Sequence, residues 1–324
     1  PQPLPIIILI VIGTSVFSQN KSKIKRTEKA SVKISLNAYS FTKPLLNYAK
    51  DRGNGTKMTL FELMDFAAAQ GFDAVDLTAY FFPGYPEVPS DKFINEVKKY
   101  AFQLGLDISG TGIRNDFADP DPIKRAADVK HVKEWIDVAV KLGAPVIRVF
   151  SGPVPEGYEN RWDEIAKYMT ESLKECTEYG EIRGVLVGVQ NHGDFLSTGD
   201  QCIKLVKMVD SEWFGIINDT GYFLTDDPYK DIEKVMPYTV NFQLKESVFG
   251  AKSTVKIDLA KIMDILKESN YRGYVPLETL SAAGGNKNKT AATSKVKLPA
   301  YDAYSAVPAF YKKVKAAQKK AFSL

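Results

Sequence analysis

The stretch VGVQNHGDF, residues 187–195, runs as a short apolar strand and then breaks into a polar turn at Gln190, Asn191 and His192. A strand that reads Val-Gly-Val has no packing reason to end in an amide and an imidazole, because buried polar groups are costly unless they are paired, hydrogen-bonded or bound. The same change of character recurs in GIINDTGYF (215–223), NFQLKES (241–247) and VPLETL (275–280). Strands that all turn polar at their last residues describe a parallel βα fold with its chemistry collected at one end.

Working outward, four further strand candidates precede these: VKISLNAYS, FDAVDLTAY, LDISGTGIR and PVIRVFSG. Amphipathic segments lie between the strands. In TLFELMDFAAAQG, residues Leu60, Leu63, Met64, Ala67 and Ala68 follow the helical period and Gly71 ends the run. DKFINEVKKYAFQLG, DVKHVKEWIDVAVKLG and DLAKIMDILKESNYRG repeat the pattern, each closing on glycine. Eight βα units within about 250 residues predict an α/β fold of the (β/α)8 TIM-barrel class over residues 32–324. A doubly wound open sheet would carry a glycine-rich phosphate loop after its first strand, whereas here that strand runs into SFTKPLLNYAKDRGNGTK. After VPLETL comes the long loop SAAGGNKNKTAATSKVKLPAYDAYSA and then a closing helix, VPAFYKKVKAAQKKAF.

The ends and the composition bound the setting. An apolar run from Leu4 to Ile12, with no charge before Lys21, is short of the ~20 apolar residues that a membrane span needs and suits a secretory signal. Residues 1–18 are therefore expected to be a signal peptide and 19–31 a basic linker, with the mature protein exported to the periplasm and no membrane span left after cleavage. The two local basic runs, KSKIKR and KKVKAAQKK, lack interleaved aromatics and read as solvated surface; no nucleic-acid partner is expected. Cys176 and Cys202 fall on consecutive helices and read as free, partly buried thiols, too few with two histidines to build a zinc cluster. Oligomerisation stays open.

Collected at the strand ends are Gln190 and His192 on strand five, Asp219 on strand six, Gln243 and Lys245 on strand seven, and Glu278 on strand eight. His192 lies two residues beyond Gln190 and so should share its interior face, where it suits acid/base work near neutral pH or a metal-ligand role. Lys245 shares the face of Gln243 and suits either stabilisation of an enolate or an ion pair with Glu278 or Asp219. Arg114 and Arg148, near the ends of strands three and four, suit contacts to hydroxyl, carboxylate or phosphate groups, or salt bridges. Trp162 after strand four and the aromatics of TAYFFPGYPEVP suit stacking on the apolar face of a sugar ring, or simple packing within their loops. His131, among lysines on a helix, reads as a surface residue.

In this order and spacing the four motifs resemble the xylose-isomerase-like TIM-barrel family of sugar isomerases, epimerases and related enzymes, over nearly the whole chain after Val32. The resemblance implies a divalent cation held by Glu, Asp, His and Glu from successive strand ends, which map here onto Gln190, Asp219, Gln243 and Glu278. Two of the four depart from the pattern. The oxygen-only set favours Mn2+ or Mg2+, or Ca2+, over zinc, with weakened affinity for each.

The function so implied is a sugar isomerase or epimerase that transfers a proton at a carbon next to a carbonyl, assisted by the cation, with Glu278, His192 and Lys245 as the catalytic groups. Gln190 cannot act as a base, which puts the family's two-base arrangement in doubt. A lyase or hydratase acting on 3-keto-glycosides, and a non-catalytic carbohydrate-binding barrel with a degenerate metal site, are the alternative readings. The partner in each case is a small carbohydrate.

Overall fold

A computed structural model describes residues 31–50, 56–192, 195–252, 254–280 and 301–323. The expected signal peptide and all but Ser31 of the basic linker lie outside the described residues, as does most of the long loop after the last strand. Strands β1 (Lys33–Asn37), β2 (Ala74–Thr78), β3 (Asp107–Gly112), β4 (Val146–Phe150), β5 (Leu186–Gln190), β6 (Phe214–Asp219), β7 (Thr239–Lys245) and β8 (Tyr274–Glu278) follow one another around a closed barrel. Every neighbouring pair is parallel, and β8 returns to β1 with Ile34 opposite Val275 and Leu36 opposite Leu277. The (β/α)8 architecture read from the sequence is the one observed.

Alternation along each strand explains why these residues form it. On β2 the side chains of Val75 and Leu77 are fully buried, while Asp76 and Thr78 line the cavity at the barrel mouth. On β7 Phe242 and Leu244 are fully buried, and Asn241, Gln243 and Lys245 line that cavity. Period-2 patterning thus sorts each strand into an apolar face and a functional face.

Helices α1 (Thr42–Ala49), α2 (Leu60–Gln70), α3 (Asp91–Gln103), α4 (Pro122–Leu142), α5 (Trp162–Arg183), α6 (Gly199–Val209), α7 (Pro228–Val235) and α8 (Leu259–Glu268) occupy the connections, and α9 (Ala303–Phe322) follows β8. Thr59 and Glu62 form a reciprocal capping box at the start of α2, which ends on Gly71 in the left-handed region at φ 84°. Three boundaries differ from expectation. α4 begins earlier, where Asp121 caps Ile123 and Pro122 takes a position that needs no N–H. α8 stops at Glu268, and Asn270, at φ 57°, makes the turn that Gly273 was expected to make. α9 also starts earlier, capped by Asp302, so that Pro308 lies inside it. On α9 Val314 and Gln318 face inward while Lys312, Lys313, Lys319 and Lys320 are exposed, as the reading of a solvated basic run anticipates. Among the described residues no helix is long and apolar enough to cross a membrane. Cys176 on α5 and Cys202 on α6 are buried free thiols.

Close strand packing leaves little room between β6 and β7. A Cβ added to Gly215 on β6 would lie 2.4 Å from Val240 Cγ1 and 2.7 Å from the Tyr238 carbonyl oxygen, and a backbone atom cannot step aside. Gly215→Ala is expected to cost about 1–3 kcal/mol of stability through overpacking. Urea unfolding of the variant beside the parent chain checks this, and an unchanged midpoint would refute it.

Candidate active site

The ends of β5 to β8 converge as the strand pattern requires. Gln190, Asp219, Gln243, Lys245 and Glu278 are all buried, with Asp219 wholly so. Asn191 fixes the end of β6: its amide nitrogen donates to the Asp219 carbonyl oxygen at 3.0 Å, and its oxygen accepts from the Asp219 backbone N–H at 2.8 Å. The Lys245 backbone N–H donates to the Thr220 hydroxyl at 3.0 Å and aligns β7 beside β6.

Lys245 is the hub of the constellation. Its ammonium lies 3.0 Å from Asp219 Oδ2 and 3.3 Å from Glu278 Oε1, and 4.1 Å from the ring centroid of Tyr222. Gln190 Nε2 donates to Asp219 Oδ2 at 2.5 Å, the Gly221 N–H donates to Asp219 Oδ1 at 2.8 Å, and Gln243 Nε2 donates to Glu278 Oε2. Of the two roles open to Lys245 in the sequence, the ion pair is present, and with both acids at once. Burial pulls its pKa down, but the charges of Asp219 and Glu278 outweigh burial and hold the ammonium above its ordinary range. Burial raises the Glu278 carboxyl, against the lowering effect of Lys245. Burial likewise pushes the Tyr222 phenol up to about 12.

Above this floor opens a cavity of about 610 Å³ at the C-terminal mouth of the barrel, lined by Gln190, His192, Tyr222, Gln243, Lys245 and Glu278 on one side. Its other side carries Asn37, Asp76, Tyr80, Arg114, Arg148 and Phe150. Arg148 donates to the Ile113 carbonyl oxygen at 2.5 Å and to the Tyr80 hydroxyl at 3.1 Å, with its guanidinium 4.0 Å from the Phe150 ring centroid. Arg114 is exposed and stands 4.7 Å from the Tyr80 ring centroid. Both arginines reach the cavity. His192 also lines it, with its ring 4.2 Å from that of Tyr222 and 4.8 Å from that of Phe150.

Trp162 does not line the cavity. It stacks on Phe195 with ring centroids 4.9 Å apart and donates to the Phe195 carbonyl oxygen, so its aromatic surface serves loop packing. The aromatic surface expected at the mouth is supplied by Tyr39, Tyr80, Phe150 and Tyr222. His131 is not simply a surface residue: it is half-buried beside Tyr85 and Trp135, with Nε2 3.3 Å from the Tyr85 hydroxyl.

Asp76 is the member of the site that the strand-end reading missed. It stands in the middle of β2 between two buried apolar residues, the same pattern that marked the later strands. Burial raises its carboxyl to about 6, against lowering by Arg148 and with a further upward push from Glu278. A Cβ on Gly110 would lie 2.9 Å from Asp76 Oδ2, so the glycine on β3 makes room for this carboxyl.

The donor set does not fit the divalent cation implied by the family pattern. A hard cation requires several oxygen lone pairs converging at about 2.0–2.6 Å. Here the carboxylates of Asp219 and Glu278 already share an ammonium, and Gln190 and Gln243 turn N–H donors toward them. The amide orientation follows from chemistry: an amide oxygen facing a carboxylate oxygen would be repelled, so the NH2 end must face it. Among the described residues no group of three or more His, Cys, Asp or Glu side chains is placed to hold a metal ion.

With the geometry in hand, comparison with known proteins is direct. The family profile described as "Xylose isomerase-like TIM barrel" matches residues 64–297. Among solved structures, the chain is similar to D-psicose 3-epimerase from Clostridium cellulolyticum H10, at 18% identity and TM-score 0.68, covering 89% of this chain and 99% of that one. It is also similar to a xylose isomerase domain protein from Planctomyces limnophilus, at 15% identity and TM-score 0.64, covering 91% and 100%. A third, 3-keto-D-glucoside 4-epimerase from E. coli, shares 14% identity at TM-score 0.62, covering 88% and 99%. At these identities the likeness is one of fold. No curated protein sequence matches the chain.

The Asp76 carboxyl yields a pH-dependent prediction. Its folded value of about 6 lies above the ordinary 3.8, so the folded chain binds this proton more tightly than the unfolded chain does. The resulting stabilisation is complete below the ordinary value and is lost as pH rises through about 6. Asp76→Asn removes this dependence. Relative to the parent chain, the variant is expected to gain up to about 3 kcal/mol between acidic and mildly alkaline pH, at ~1.4 kcal/mol per pKa unit. Denaturant unfolding across that range checks it, and a difference that is flat with pH would overturn it.

Proposed function

The chain belongs to the xylose isomerase-like TIM-barrel family, and on that premise we propose that it is a sugar isomerase or epimerase, moving a proton at a carbon next to the carbonyl of a sugar or keto-sugar. The observation that carries the reading is the Glu278 carboxyl, buried at the floor of an open cavity with the Lys245 ammonium against it. A carboxylate raised by burial is a stronger base than an exposed one, and a neighbouring cation compensates negative charge that develops on the substrate oxygen.

The roles follow from position. Glu278 takes the proton from the carbon. His192, arriving beyond β5, and Asp76, arriving from β2, face the same cavity and can return a proton to the intermediate from another side. Inversion at carbon requires such a second group, because a single base returns the proton to the face it came from. Arg114 and Arg148 donate to substrate hydroxyls or to a carboxylate, and Tyr39, Tyr80, Phe150 and Tyr222 offer surface to the C–H faces of a ring. The apolar run 4–12 supports export to the periplasm, where unphosphorylated sugars are the accessible substrates.

A second reading has its own support. One similar structure is a 3-keto-D-glucoside epimerase. In a 3-keto-glycoside the proton beside the carbonyl is removed by the same base, and loss of a neighbouring oxygen substituent then gives elimination in place of epimerisation. The chain would in that case be a lyase or hydratase with the same Glu278.

Incubating the protein with ketoses and 3-keto-glycosides in D2O, followed by NMR, tests both. Deuterium is expected to appear at the carbon next to the carbonyl, and Glu278→Gln is expected to slow its appearance by at least about 100-fold with little change in KM. Release of the aglycone would select the lyase reading. Binding of a sugar with no exchange in any of them would remove the enzyme reading and leave a carbohydrate-binding barrel.

A further inference from the structure

We infer that the Lys245 ammonium takes the place of the divalent cation that the family resemblance implies, and that the site operates without bound metal. A corollary is that the ammonium's remaining N–H meets the substrate's carbonyl oxygen; only this corollary rests on the proton-transfer reading above.

Four observations carry the inference. The first is position. The Lys245 ammonium lies 3.0 Å from Asp219 and 3.3 Å from Glu278, the two acids that the resemblance assigns to the cation. A dication about 2.1 Å from both oxygens would share that volume with the ammonium and repel it.

The second is the chemistry of the amides. Gln190 and Gln243 stand where the resemblance implies Glu and His, and each donates an N–H to the neighbouring acid. Donors of this kind satisfy a carboxylate that has an ammonium for a partner; they offer a cation no lone pair in that direction.

The third is the charge sum. Two carboxylates and one ammonium leave a net charge of minus one, and the implied set of Glu, Asp, His and Glu around a dication leaves the same. Loss of one carboxylate and exchange of a double for a single positive charge cancel, so the two glutamines and Lys245 act as one coupled change.

The fourth is accommodation. A Cβ on Gly221 would lie 2.9 Å from Lys245 Cδ, so the lysine stem runs through space that only glycine leaves open, while Tyr222 sets its ring against the ammonium. The lysine is seated by the local backbone, and Asp219 beneath it does not line the cavity.

An ammonium has three N–H bonds. Two are directed to Asp219 and Glu278, and the third, toward which Tyr222 also turns its hydroxyl, is the one a substrate oxygen in the cavity would take over. In the proposed reaction this hydrogen bond strengthens as the carbonyl becomes an enolate oxygen. The proton itself passes from carbon to Glu278, and no oxidant or reductant is required.

The test begins with the full-length protein, stripped with chelator and then equilibrated with Mn2+. The parent chain is expected to retain no Mn2+ and to melt at the same temperature with chelator as with millimolar Mn2+. Lys245→Ala combined with Gln190→Glu is expected to be destabilised in chelator, because buried acids lose their partner, and to recover stability on adding Mn2+. Gln243→His with Lys245 kept is expected to remain unresponsive. One Mn2+ per chain in the parent, with a raised melting temperature, would overturn the inference, and this titration decides even if the Lys245 variants do not fold. The D2O exchange rate of the parent is expected to be unchanged by chelator; a rate that requires added metal would also overturn the inference. Absence of exchange with every substrate would remove the proposed reaction and the corollary, while the titration would still decide whether ammonium or metal holds the site.

Discussion

Placing the Asp219 and Glu278 carboxylates together out of water is unfavourable unless a positive charge stands with them. Removing one member of a buried ion pair commonly costs about 3–5 kcal/mol, because it leaves a charge uncompensated. Lys245 is that charge in this chain, touching both acids, while Gln190 donates to the same Asp219 oxygen and the Gly221 N–H and Gln243 amide satisfy the remaining carboxylate oxygens. Much else in the barrel follows from accommodating it. Asn191 brackets Asp219 through both of its backbone groups, Thr220 receives the Lys245 N–H, and Gly221 clears the path of the lysine stem. Each of these residues lies at the polar end of a strand, where the barrel gathers side chains from several directions.

The same accommodation shapes the cavity above. Its floor sets one ammonium against two acids, while its far side holds Arg114, Arg148 and Asp76, which make no ion pair with that triad. Arg148 is steered by the Ile113 carbonyl and the Tyr80 hydroxyl, and its guanidinium passes over Gly112, where a Cβ would lie 2.7 Å from its Nε. Glycines in β3 thus clear space twice, for Arg148 and for Asp76. In the proposed reaction the floor would supply the acid/base groups, and the far wall hydrogen-bond donors suited to polyhydroxylated ligands.

The barrel was legible because its signal is periodic. Alternation on each strand and amphipathicity on each helix repeat many times, and a local misreading such as the starts of α4 and α9 does not disturb the whole. Gln190, Asp219, Gln243, Lys245 and Glu278 were legible for a related reason: a polar residue that ends an apolar strand has to be explained. Asp76 carries that signature within AVDLT, but two residues before its strand ends and outside the four family motifs, so the strand-end pattern alone does not single it out. Between sugar stacking and loop packing, sequence could not decide for Trp162, because it locates a residue in a loop without saying which way its ring turns, and here the ring turns onto Phe195. The role of Lys245 lay beyond sequence altogether, since the choice between ion pair and enolate stabiliser depends on distances of about 3 Å that no periodicity encodes.

Exchanging a dication for an ammonium has chemical consequences beyond charge. A dication can hold a carbonyl oxygen and a neighbouring hydroxyl together, so that much of the substrate's orientation is set by chelation. An ammonium with two N–H bonds committed to Asp219 and Glu278 holds one oxygen only. Orientation must then come from contacts farther along the sugar, and this chain has Arg114, Arg148 and the aromatic wall of Tyr39, Tyr80 and Phe150 in position for them. Polarisation by a single charge is also weaker, which favours substrates whose carbonyl is already fixed in a ring beside an acidified C–H over those that must be opened and activated. Of the substrates considered for this site, 3-keto-glycosides meet that requirement and free ketoses, which must open to expose their carbonyl, do not, so the identity of the cation at the floor bears directly on the choice between the two proposed readings.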